Sequence, residues 1–216
     1  SIVGRIAYAY GKTVVDATAQ QKAGNAAVAA DASVSFAANQ ATISSVVTQI
    51  SNFLNANTVS ASDLYVITVG TWDIYNARAA TSAVSDVPAL VTAIQSLTSR
   101  GATHVLVMGP INLTRTPWAN ANSFTNTNLI WGAGQNTSFN DALSTQLSAA
   151  YTQDRKPVLF NTQYLSFFNN IAGTFPGQLT VLTNGITDPQ TPACAASTTP
   201  NPNPPTGLGC AMADAT

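Results

Sequence analysis

The chemically equipped residues of this chain are few, and they stand at the ends of apolar runs. Leu64-Tyr65-Val66-Ile67-Thr68-Val69 reads as a buried strand that stops at Gly70-Thr71-Trp72-Asp73. A glycine, an indole and a carboxylate at a strand end put backbone N–H groups, a ring N–H and an acid where open α/β sheets carry their chemistry. The single histidine, His104, opens the next apolar run, HVLVMG at 104–109. It reads as a strand-entry residue with a satisfied imidazole, at the opposite end of the strand from any turn chemistry. Two cysteines, Cys194 and Cys210, bracket AASTTPNPNPPTGLG, a Pro-rich stretch with no helical or strand period. A disulfide there closes a loop of about 15 residues and contributes roughly 3 kcal/mol. Two Cys and one distant His cannot supply the four ligands of a zinc site, so no metal is expected.

The elements that position these residues follow from periodicity. IVGRIAYAY, 2–10, reads as the end of an amphipathic helix, closed by Gly11, and KTVVDA as a short strand. Residues 20–40 are rich in Ala, Gly and Asn with little period, and read as a loop. Ile43, Val46, Val47, Ile50, Phe53 and Leu54 fall at i, i+3, i+4, i+7 spacing and predict a helix with one apolar face. After the 64–69 strand, Ser85 or Asp86 caps a helix whose Val87, Leu90, Val91, Ile94 and Leu97 share a face; Arg100 lies in its last turn and Gly101 ends it. The HVLVMG strand ends in Gly109-Pro110, and a long loop to about 130 carries Trp118 and Trp131, which read as pins of that loop. Phe139, Leu143, Leu147, Ala150 and Tyr151 mark another helix; PVLFN, 157–161, another strand; TQYLSFFNNI a short helix before a loop-rich tail. Strands apolar throughout, alternating with amphipathic helices, imply a parallel sheet covered on both faces, hence a single three-layer α/β domain over 1–216. No Gly-x-Gly-x-x-Gly or Walker-type loop is present, so no nucleotide cofactor is implied.

The order strand, Gly-x-x-Asp, helix, HVLVMGPINLTRTPWA, FNDALSTQL, VLFNTQYLSFFNNI resembles that of the SGNH or GDSL ester hydrolases, closest to their secreted bacterial lipase-like branch. TNGITDPQTPAC, 183–194, is similar to that branch's tail before a Cys-containing loop. The resemblance implies a mostly parallel flavodoxin-like sheet, an ester substrate, no cofactor, and acyl transfer by a Ser in a Gly-Asp-Ser turn with a His in Asp-x-x-His. Neither block occurs in the 216 residues. Trp72 stands where the family's oxyanion-hole Asn stands, and Asp73 matches the block's acid, whose implied role is to shape the turn. Gly24, in AGNAA, falls loosely where the family has its oxyanion glycine. The oxyanion-region candidates are therefore Gly24, Gly70, Trp72 and Asp73, with no catalytic Ser or His to go with them. The resemblance also places a central first strand ahead of residue 1. Its slot is expected to be filled by residues upstream of Ser1 or by a strand donated from another chain.

Composition narrows the class further. Hydrophobic residues make up 45% of the chain, enough for a core, while charged residues make up only 8% against roughly 25% in ordinary domains. All nine acids are Asp. The polar surface is therefore Ser, Thr, Asn and Gln, a composition common in secreted and cell-surface proteins. A net charge of −1 offers nothing to nucleic acid or anionic lipid, and opposes self-association weakly. No run approaches the 18 apolar residues of a spanning helix. No signal peptide or initiator Met is read in these 216 residues, and Ser1 reads as a processed or cut end. The Asn-x-Ser/Thr matches at Asn112 and Asn136 are expected by chance in so Asn- and Thr-rich a chain. Two functions are expected from these features. One is an ester hydrolase of the esterase or lipase kind, present here as its central portion and inactive alone. The other is a non-catalytic secreted structural or binding subunit, self-assembling by strand exchange.

Overall fold

The computed structural model describes residues 2–77, 82–110, 113, 138–151 and 158–160. All but Leu113 belong to one compact unit, Ser1–Ile111 with Asn126–Leu165; a second unit, Asn112–Thr125 with Ser166–Thr216, is otherwise outside the described residues. Trp118, Trp131, the 162–171 helix and the Cys194–Cys210 loop fall outside them too.

The elements alternate as the periodicity predicts, with additions: α1 Ile2–Ala9, β1 Val14–Asp16, α2 Ala19–Lys22, β2 Ser33–Ser35, α3 Ile43–Ala56, β3 Leu64–Thr68, α4 Thr71–Ala77, α5 Ser82–Ser85, α6 Val87–Ser99, β4 His104–Met108, α7 Phe139–Ala150 and β5 Val158–Phe160. The 20–40 loop expectation is corrected by α2 and β2. A capping box sets α2: the Thr18 hydroxyl accepts from the Gln21 N–H, and the Gln21 side chain accepts from the Thr18 N–H. β2 exists because β1 pairs with it, Val15 opposite Val34.

The strands form two parallel sheets, β1-β2 and β3-β4-β5, the second in register Leu64 to His104 through Thr68 to Met108. Mixed helix and parallel strand is the α/β class. Sequential parallel strands with right-handed crossovers put their helices on one face. Accordingly α6 packs against both α3 and α7. Register partners share a face, and the covered face holds Ile67, Val105 and Val107, all buried, with the Tyr65 ring edge-on to Phe53 of α3 at 5.9 Å. Val46, Ile50 and Leu54 of α3, Leu90, Ile94 and Leu97 of α6, and Leu143 and Leu147 of α7 complete this core. Each such side chain contributes about 1.5–3 kcal/mol. The opposite face is only partly covered: Leu64 is 48% exposed, and Val66 and Leu106 are half-buried. Cover on both faces is thus seen fully for one.

Candidate functional site

β3 and β4 run side by side and deliver their carboxyl ends to one place, where three separate stretches of sequence meet. β3 ends at Thr68, and two residues on Gly70 has φ +95°, a conformation that a side chain strains. A Cβ built there would lie 2.6 Å from the Phe139 ring and 2.9 Å from Cδ of Pro110. Only glycine lets the first turn of α7 and the turn after β4 close on the backbone this tightly. Next to Phe139, fully buried Asn140 donates from Nδ2 to the Pro110 carbonyl at 3.3 Å. Its Oδ1 is buried with no hydrogen-bond partner. Leaving a buried acceptor unmet costs about 1–3 kcal/mol, which the packing around Asn140 and its bond to Pro110 must offset.

Gly70 also opens α4, and the chain beyond it is helical rather than an open turn: the Ile74 N–H donates to the Gly70 carbonyl at 3.0 Å. The helix turns Asp73 inward, 8% exposed. Both carboxylate oxygens accept from the Ile43 N–H, at 3.0 and 3.2 Å. Asp73 therefore caps α3 from 30 residues away, in place of the Thr42 hydroxyl, which instead meets Ser45 Oγ at 3.3 Å. Burial raises the Asp73 carboxyl above its ordinary value. The Ile43 N–H pulls the other way, and Asp86 adds a small push upward. Trp72 is half-buried and its ring packs edge-on to Tyr75, one turn along α4, at 4.7 Å.

Gly70, Trp72 and Asp73 thus lie together, and Gly24 does not join them. Gly24 abuts α3 at Asn52, where an added Cβ would come within 2.8 Å of the Asn52 carbonyl. Asn52 is nine residues along α3 from Ile43, about 14 Å at 1.5 Å per residue. His104 is likewise remote: it begins β4, on the order of 13 Å from that strand's carboxyl end. Its Nδ1 lies 2.9 Å from Thr103 Oγ1 and 3.1 Å from the Ala61 carbonyl. The residues that composition and spacing do not single out are Asn140 and Pro110. Their signal is the motif order: Gly-x-x-Asp, Gly-Pro and Phe-Asn-x-x-Leu are far apart in sequence and adjacent in space. Chemically, the cluster offers a tight backbone turn, one buried acid engaged in capping and one unmet acceptor. Among the described residues no three His, Cys, Asp or Glu side chains gather as a metal site, and no helix is long and apolar enough to cross a membrane. No family model, no curated protein and no solved structure matches the chain.

Proposed function

We propose that this chain is an SGNH/GDSL-like carboxylic ester hydrolase domain, of the esterase or lipase kind, with a three-layer flavodoxin-like sheet, and that its 216 residues are incomplete as a catalyst. The observation that supports this reading is the meeting of Gly70, Pro110 and Phe139–Asn140 at the carboxyl ends of β3 and β4. Those are the three stretches whose order carries the resemblance, and strand carboxyl ends are where open parallel sheets place their sites. On this reading Asp73 is structural, since its carboxylate is committed to the first turn of α3. The polar, weakly charged surface and the Cys194–Cys210 pair fit a secreted or cell-surface protein, where such a disulfide is oxidised.

Trp72 favours a second reading, a non-catalytic secreted binding or structural subunit on the same scaffold. An indole offers one donor, and this ring is packed on Tyr75. Losing one oxyanion donor typically lowers turnover about 100- to 1000-fold. p-Nitrophenyl butyrate and a fluorophosphonate probe, offered side by side to the 216-residue chain and to the full gene product, separate the two. Neither turnover nor labelling is expected of the 216 residues. Turnover by the full product supports the hydrolase reading, and a blank in both supports the scaffold reading. A labelled serine within the 216-residue chain, with turnover, refutes both.

A further inference from the structure

We propose that a groove on the outward side of α3 binds a carboxylated sugar, a hexuronate unit either free or within a glycan. The inference stands apart from the hydrolase reading, because none of its residues belongs to the cluster at Gly70. The groove holds about 370 Å³, within the range of small-ligand sites, and lies between α3, the end of α2 and the chain after β2. α3 turns its apolar stripe, Ile43, Val46, Ile50 and Leu54, into the core. Ser45, Thr48, Gln49 and Asn52 repeat at i, i+3, i+4, i+7 on the opposite side and line the groove. An ordinary solvent face would leave such residues exposed. Here Ser45, Gln49 and Asn52 are half-buried, as are Lys22 and Phe36 on the flanking elements.

Bonds and close packing fix the walls. Asn52 Nδ2 donates to the Lys22 carbonyl at 2.8 Å and ties α2 to α3. The Lys22 ammonium donates to the Ala37 carbonyl at 3.3 Å and ties α2 to the chain after β2. Phe36 stands edge-to-face with Phe53 at 5.6 Å. Gly24 lets the α2 turn close on the Asn52 backbone. Gln40, just past the wall residue Ala38, holds φ +58°, a left-handed conformation that persists only where its surroundings fix it. Inside the groove, bonding capacity is left over. Gln49 makes no side-chain hydrogen bond among the described residues, so its half-buried carboxamide keeps both donor and acceptor to offer. Thr48 gives its proton to the Ser44 carbonyl at 3.0 Å, which leaves its oxygen as an acceptor. Lys22 keeps further N–H donors and is the one charge among the described lining residues. A carboxamide beside a hydroxyl oxygen matches neighbouring hydroxyls of a sugar, and an aromatic ring suits its C–H groups through the negative π face. An ammonium with no acid lining the same groove selects a carboxylate. The row from Ser45 to Asn52 is about 10 Å long, so more than one sugar unit fits along it. One cation is too few for nucleic acid, whose binding grows with the number of phosphates neutralised.

The test is an NMR titration of the whole nitrogen-labelled chain with sodium galacturonate, its linear trimer, and galactose as the uncharged control. The side-chain amide signals of Gln49 and Asn52 and the backbone signals of Lys22 and Phe36 should shift together. The tighter acid should saturate with a Kd of about 1 mM or below, and galactose should bind at least about tenfold more weakly. Added salt should weaken the acid and leave galactose unchanged. Lys22→Met and Gln49→Ala should each weaken the acid about tenfold. Gln49→Ala decides if Lys22→Met disturbs the fold, because Gln49 has no bond of its own to lose. A tighter trimer assigns a glycan as the ligand, and equal binding of monomer and trimer assigns the free sugar acid. Absence of shifts with either acid overturns the inference, as do shifts confined to other residues or binding that both variants leave unchanged. Equal binding of galactose overturns the carboxylated class.

Discussion

At Gly70 two costs coincide: a positive φ, and ring atoms of Phe139 and Pro110 where a Cβ would sit. Gly11 separates them, having φ +66° with nothing within 4 Å of a built Cβ. Gly11→Ala should therefore lower stability by about 1 kcal/mol from strain alone. Gly70→Ala should lower it by roughly 2–4 kcal/mol, because the clash of an overpacked contact adds to the strain. Urea titration of both variants measures the difference. Asp73 invites a second comparison. Asp73→Ala removes the cap of α3 and should cost about 0.5–2 kcal/mol, whereas Asp73→Asn keeps an acceptor and should cost less at neutral pH. The pH dependence has a definite sign. A carboxyl whose folded pKa is raised binds its proton more tightly in the folded state. Its contribution is complete below the ordinary Asp value and is lost as pH rises through the raised one. Stability of the natural protein relative to Asp73→Asn should therefore grow as pH falls through that window. Denaturation midpoints for the pair, taken between neutral and about pH 3.5, test this, and an opposite slope would sink the assignment.

Among the elements, the three helices of the covered face carry the stability. Ile94 is fully buried on α6, which packs against both α3 and α7. Ile94→Ala should cost about 2–5 kcal/mol. Val15, 54% exposed on β1, marks the other extreme, and Val15→Ala should fall within about 1 kcal/mol of the natural protein. Equilibrium unfolding by circular dichroism ranks the two. These helices were legible in the sequence because their apolar stripes are long: Ile43, Val46, Ile50 and Leu54 repeat through about three turns. α2 and β2 are too short to show a period, although Thr18-x-x-Gln21 is a capping-box signature that marks the start of α2. The candidate site was legible only as an order of motifs. Gly70, Trp72 and Asp73 are neighbours in sequence, but the partner of Asp73 is a backbone N–H 30 residues earlier. Gly24 looked comparable in type and proved to belong to the close approach of the α2 turn to Asn52. Nor does any local pattern announce that Asn140 is buried with one acceptor unmet, because that follows from how α7 packs against the turn after β4.

For the whole molecule, a chain with 17 charged residues in 216 must hold its surface in water with hydroxyls and amides. Such a protein gains from covalent closure of its Pro-rich stretch. We predict that Cys194 and Cys210 form a disulfide: alkylation followed by intact-mass measurement should add no label without reductant and two with it. Two labelled thiols in the unreduced protein would refute it. The cap across 30 residues also has a consequence for how the chain is made. A ribosome releases residues 43–56 before residue 73 exists. The stripe of α3 can then collapse, but its first turn has no carboxylate to close it, and a helix of that length is marginal in isolation. α3 should stay frayed at its start until α4 emerges and turns Asp73 inward. The two ends of that stretch would then lock together, so that translation speed between codons 43 and 73 sets how long an unfinished helix is exposed to chaperones and proteases.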